Sequence, residues 1–122
     1  MRILIVDDEY DIAEELACFL ESGTREVHFA TDPHQGLTMA RELNPEVVIS
    51  DMRMPDMDGA ELVRRIWSHN PGTIRFLIIS GHLGASEELG NMHDIPYSLM
   101  SKPVNIEVLE SEIAACENAL IE

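Results

Sequence analysis

The chain has 122 residues, and its 23 Asp and Glu against eight Lys and Arg give a formal net charge of -15. That length sets one domain, residues 1–122, as the expectation, able to bury roughly two thirds of its unfolded surface without a metal or disulfide staple. The charge argues against direct nucleic-acid binding and against an anionic membrane, because such polyanions are met by clustered cations; proteins and cations remain as partners.

The chain opens on the apolar run Ile3 to Val6. It is too short for a secretory h-region or a membrane span, and no later stretch approaches about 18 apolar residues, so a soluble cytoplasmic protein is expected. Next comes a helical stripe, Ile12, Leu16 and Leu20 flanked by Ala13, Ala17 and Phe19. After the run Val27 to Ala30, Asp32-Pro33 followed by Gln35 reads as an N-cap, a first-turn proline and a capping-box partner, so a helix starts near residue 33. Val47 to Ile49 is the third run, and Asp58 with Glu61 three residues on starts another helix near residue 59. Phe76 to Ile79 is the fourth run. The stretch "GHLGASEELGNMHD" has three glycines and few apolar anchors, which predicts only a short, marginal helix after residue 84. A weaker run around Leu99 and Met100 precedes a last stripe of Ile106, Leu109, Ile113, Cys116 and Leu120.

Short Val- and Ile-rich runs without alternation suit parallel strands buried on both faces. Joined by right-handed crossovers, they predict an α/β fold, a (βα)5 doubly wound five-stranded sheet. Four runs end in polar residues: Asp7-Asp8, Ser50-Asp51, Ser80 and Ser101-Lys102. In open α/β sheets ligands bind outside the carboxyl ends of the strands, so Asp7, Asp8, Asp51, Ser80 and Lys102 should share one crevice. Carboxylates about 4 Å apart repel by roughly 4 kcal/mol at an effective dielectric of 20. Lys102, the only lysine in the chain, and a hard divalent cation would balance them. The oxygen-only ligand set suits Mg²⁺, and an aspartate in such a site can act as a nucleophile toward phosphorus.

With "ILIVDDE", "DMRMPDMDG", "IISG" and "SKP" in this order, the chain resembles the receiver domains of bacterial two-component response regulators, the family that includes the chemotaxis receiver (CheY-like, strand order 2-1-3-4-5). The resemblance implies that Asp51 is phosphorylated and that Asp7, Asp8, Asp51 and the backbone carbonyl of Arg53 hold Mg²⁺. It further implies that Ser80 and Lys102 attend the phosphoryl group and that Lys102-Pro103 is cis. A sensor histidine kinase or phosphotransfer protein would be the donor, and an output domain or protein the recipient of the signal. Such a domain catalyses only its own phosphorylation and dephosphorylation; it is not a turnover enzyme. Two features depart from the family pattern. The switch position that usually carries Tyr or Phe is Leu99, with Tyr97 on the same side of the strand but further from the site. After Arg75 the only cation is Lys102, which argues against the salt-bridged dimer through the fourth helix, fifth strand and fifth helix.

Rival readings are weaker. A phosphohydrolase with an Asp nucleophile would need an acid/base aspartate where Arg53 stands, a calcium loop fails at Met54 and Arg65, and "DDE" replaces the glycine-rich turn of a dinucleotide site. A degenerate receiver acting as a binding scaffold is the remaining alternative. Asp56 reads as a solvated turn residue, and Met54, Pro55 and Met57 as loop packing. Trp67 reads as burial against the sheet. Cys18 and Cys116 read as small buried residues. His82 borders the crevice but reads as an exposed loop residue; His28, His34, His69 and His93 read as structural or surface residues.

Overall fold

The computed structural model describes residues 1–69, 71–72, 74–81 and 94–121. In chain order it contains β1 (Arg2–Val6), α1 (Tyr10–Leu20), β2 (Glu26–Ala30), α2 (Pro33–Leu43), β3 (Val47–Asp51), α3 (Gly59–His69), β4 (Arg75–Ser80), β5 (Tyr97–Ser101) and α4 (Ile106–Ile121). The helix predicted after residue 84, and His82 and His93, lie outside the described residues.

All strand pairs are parallel, in the order β2-β1-β3-β4-β5. This is the doubly wound sheet that the apolar runs predict. β3, in the middle, is buried along its whole length, as expected for a strand covered on both faces.

Alternate strand residues feed two cores. On one side Leu4, Val6, Val48, Phe76 and Ile78 pack with Ala40 of α2 and with Leu62, Val63 and Ile66 of α3. On the other side Ile3, Ile5, Ile49, Leu77 and Ile79 pack with Leu16 and Leu20 of α1 and with Leu109 and Ile113 of α4. Each fully buried Leu or Ile contributes about 1.5–3 kcal/mol, so the crossovers are held by their apolar faces. No described helix is long and apolar enough to cross a membrane.

The predicted caps form. Asp32 accepts hydrogen bonds from the amides of His34 (2.7 Å) and Gln35 (3.2 Å), with Pro33 opening the helix. Asp58 accepts one from the amide of Glu61 at 2.8 Å. Trp67 is half-buried and meets Phe76 of β4 edge-on, with ring centroids 6.3 Å apart. Cys116 is buried as expected.

Cys18 corrects the sequence reading, because it is exposed. Phe19 is also 47% exposed. At about 100° per residue, both fall off the stripe of Ala13, Leu16, Ala17 and Leu20 that faces the sheet.

One long-range clamp joins the α1–β2 connection to α4. The Arg25 guanidinium donates to both carboxylate oxygens of Glu110, each at 2.8 Å, and its Nε donates to Glu117 at 2.8 Å. Its side chain is only 8% exposed. The bonds to Glu110 and Glu117 hold the Arg25 pKa above its ordinary value, against the opposing effect of burial. The same contact keeps both carboxylates more acidic than usual.

Candidate functional site

The register of the sheet aligns the strand ends. Val6 pairs with Ser50, Asp51 with Ile79, and Ser80 with Ser101. Asp7, Asp51, Ser80 and Lys102 therefore leave the sheet on one edge, at the switch point where β1 and β3 send their connections in opposite directions. The structure brings Asp7, Asp8, Asp51 and Lys102 together, with Ser80 at the adjoining end of β4.

Asp7, Asp51 and Ser80 are buried, at 4%, 5% and 5% exposure, while Asp8 is exposed. The carboxylates of Asp7, Asp8 and Asp51 each offer an oxygen within 4.8 Å of the others. Lys102 Nζ lies 3.1 Å from Asp51 Oδ1. Its own amide donates to the Ser80 carbonyl at 2.9 Å, which ties the lysine to the end of β4. Lys102-Pro103 is cis, as the resemblance implies. Arg53 stands two residues after Asp51 in the following loop, with an exposed side chain.

Three carboxylates against one ammonium leave a formal excess of two negative charges. Burial, with the neighbouring Asp51 and Asp8 charges adding to it, raises the Asp7 pKa to about 6, although the Glu9 amide (2.9 Å) and Lys102 pull the other way. Partial burial lowers the Lys102 pKa, but the bond to Asp51 and the charges of Asp51, Asp7 and Glu9 outweigh it, leaving the ammonium less acidic than an ordinary lysine. An under-compensated oxygen cluster, with Asp7 and Asp51 buried and Asp8 open to solvent, is the donor chemistry of a hard divalent cation, so the residues present fit Mg²⁺.

The loop after Asp51 is held by backbone bonds. The Met52 amide donates to Ile79 O and the Gly59 amide to Met52 O, both at 2.9 Å, and Ser50 Oγ donates to Asp51 O at 2.9 Å. Met57 is buried and packs this loop, while Asp56 is exposed at φ 70°. Gly59 is a site residue that pattern reading misses. A Cβ there would stand 2.5 Å from the Asp51 carbonyl oxygen. The only local signal is the Asp58-Gly59 pair at a helix start, and that pair says nothing of how closely β3 approaches.

At the switch position, Leu99 is 42% exposed and Tyr97 is 37% exposed. They pair with Ile78 and Phe76, so Tyr97 does stand on the same side as Leu99, two residues further from the site. Beside Lys102, a 560 Å³ groove opens between Ile12, Leu16, Pro103, Val104 and Ile106.

Comparison with known proteins agrees with this geometry. Residues 3–114 match the response regulator receiver domain. The chain is 35% identical over 105 residues to a response regulator receiver protein of Anaeromyxobacter sp., covering 86% of this chain and 44% of the relative. It is 28% identical over 107 residues to the probable transcriptional regulatory protein TcrX of Mycobacterium tuberculosis, covering 88% and 45%. The chain thus spans under half the length of these two relatives. Among solved structures it resembles a receiver domain protein of Clostridium thermocellum, with a TM-score of 0.86, 28% identity and 99% and 98% coverage. It also resembles a CheY-like receiver domain protein of Methanospirillum hungatei, with a TM-score of 0.83, 26% identity and 96% and 94% coverage. Fold, strand-end chemistry and relatives converge: the chain belongs to the response regulator receiver domain family of two-component signalling.

Proposed function

We propose that Asp51 is the phosphoacceptor of this receiver domain. The observation that carries this reading is the 3.1 Å contact of Lys102 Nζ with a buried carboxylate oxygen of Asp51 inside the three-carboxylate cluster. Mg²⁺, held by Asp7, Asp8, Asp51 and the carbonyl of Arg53, would supply the remaining positive charge to the phosphoryl oxygens. The donor is a phosphohistidine of a sensor histidine kinase or phosphotransfer protein.

The chain's own residues do the rest. Lys102 fixes one Asp51 oxygen, leaving the other to attack phosphorus; the P–N bond to the donor imidazole breaks as the P–O bond forms, and the imidazole keeps the electron pair. The carboxylate charge of Asp51 is replaced by about -2 on the phosphoryl group. The Lys102 ammonium and the Ser80 hydroxyl then serve its equatorial oxygens. Water later cleaves the acyl phosphate, returning the carboxylate and phosphate, so the domain acts on itself rather than on external substrates. The signal passes to an output domain or partner protein in the cytoplasm. Direct nucleic-acid binding and membrane association are not part of this reading, and the scarcity of cations after Arg75 argues against a salt-bridged dimer on the β5 side.

Intact mass after incubation with acetyl phosphate tests this, with and without Mg²⁺, for the native chain and Asp51→Asn. One phosphoryl group gained only with Mg²⁺ and only by the native chain is expected. No gain, or a gain retained by Asp51→Asn, overturns the assignment.

A further inference from the structure

Among the described helices, the two sides of the sheet differ sharply in charge. α1 carries Asp11, Glu14 and Glu15, and α4 carries Glu107, Glu110, Glu112 and Glu117, with no Lys or Arg on either helix. α2 and α3, across the sheet, hold only Glu42 and Glu61 as acids against Arg41, Arg64 and Arg65. They also carry His34 and His69.

Between α2 and α3 runs a 470 Å³ groove lined by Leu37 and Arg41 on one side and Glu61, Arg64, Arg65, Ser68 and His69 on the other. Arg65 is held by Glu61 at 3.0 Å. Arg41 and Arg64 make no ion pair with any of the described residues. Two guanidiniums with no ion pair among the described residues thus line one groove. Half-buried Leu37 adds an apolar contact at their base.

We propose that this α2–α3 groove docks a carboxylate-bearing segment of a protein partner. Guanidinium groups bind carboxylates in bidentate fashion. The two 11-residue helices are each about 16 Å long, a span that suits a row of side chains better than a single ion. The acidic α1 and α4 pack on the opposite face of the sheet, and salt screens their exposed charges from the groove. A nucleic acid would extend past the groove into the repulsion of the whole chain.

Amide NMR titration tests the proposal, using a 14-residue helical peptide with glutamates at i and i+4 and a twin carrying glutamines. Saturable shifts confined to the amides lining the groove are expected, with affinity at least tenfold weaker for the glutamine twin and for the R41E/R64E double variant. Affinity should also fall as salt rises. The idea is overturned by absent or non-saturating shifts, equal binding of the twin, shifts centred elsewhere, or tighter binding of a single-stranded oligonucleotide at these amides. The double variant should keep its Mg²⁺-dependent gain of a phosphoryl group from acetyl phosphate, so failure here is separable from failure of the Asp51 assignment.

Discussion

Gly59 and Asp51 are packed so closely that any Cβ on the glycine would stand 2.5 Å from the aspartate carbonyl oxygen. The other atom is backbone, so it cannot swing aside. Gly59→Ala should therefore push α3 from the end of β3 and cost about 1–3 kcal/mol. Urea unfolding measures that cost, and phosphoryl gain from acetyl phosphate should slow with it. An unchanged midpoint would mean that the loop yields freely.

Lys102→Met keeps the aliphatic stem but removes the ammonium beside Asp51. A hydrogen bond to a charged partner is worth about 1.5–3 kcal/mol, so phosphoryl incorporation should slow at least tenfold while the circular dichroism spectrum is retained. Native-like rates would show that Lys102 is only a static counter-charge.

The pH response of the metal-free protein follows from two opposed shifts. Asp7, raised from 3.8 to about 6, binds its proton more tightly when folded. Its contribution is fully present below about 3.8 and is lost as pH rises through about 6, an effect on the order of 3 kcal/mol at 1.36 kcal/mol per unit. Glu110 and Glu117 are lowered from 4.5, so their contribution is present above 4.5 and is lost in acid. With EDTA, urea stability should fall between pH 5 and pH 7 by about 1.3 kcal/mol, the part of the Asp7 effect that lies above the range where Glu110 and Glu117 oppose it. Asp7→Asn should flatten that fall, and Mg²⁺, which takes the ionised carboxylate, should offset it. A fall of equal size in Asp7→Asn would assign it to other groups.

Arg25→Ala should destabilise the fold by about 1–2 kcal/mol, since it removes charge-assisted hydrogen bonds to two partly exposed carboxylates that water can re-solvate. Thermal unfolding of this variant and of Glu110→Gln provides the check. A loss below 0.5 kcal/mol in both would reduce the clamp to an ordinary surface pair.

What was legible in the sequence was what local pattern encodes. Buried strands announce themselves as short apolar runs, Asp32 and Asp58 as caps, and the strand-end placement of Asp7, Asp51, Ser80 and Lys102 follows from the fold class alone. Cys18 and Phe19 lie past the edge of the α1 stripe, an edge that a list of apolar residues does not show. The Arg25 clamp links residues 85 and 92 positions apart, and the Gly59 approach depends on how closely two backbones meet. Neither leaves a local trace.

The Arg25 clamp has a mechanical consequence. It grips α4 at Glu110 and Glu117, residues two turns apart on one face of the helix. Between that grip and Lys102 lies little more than Pro103, Val104 and the first helical turn. Were Lys102 to move toward a phosphoryl group on Asp51, the pull would reach a short segment beyond a fixed fulcrum and would strain the opening turn of α4, which Leu109 anchors in the core, rather than slide the whole helix.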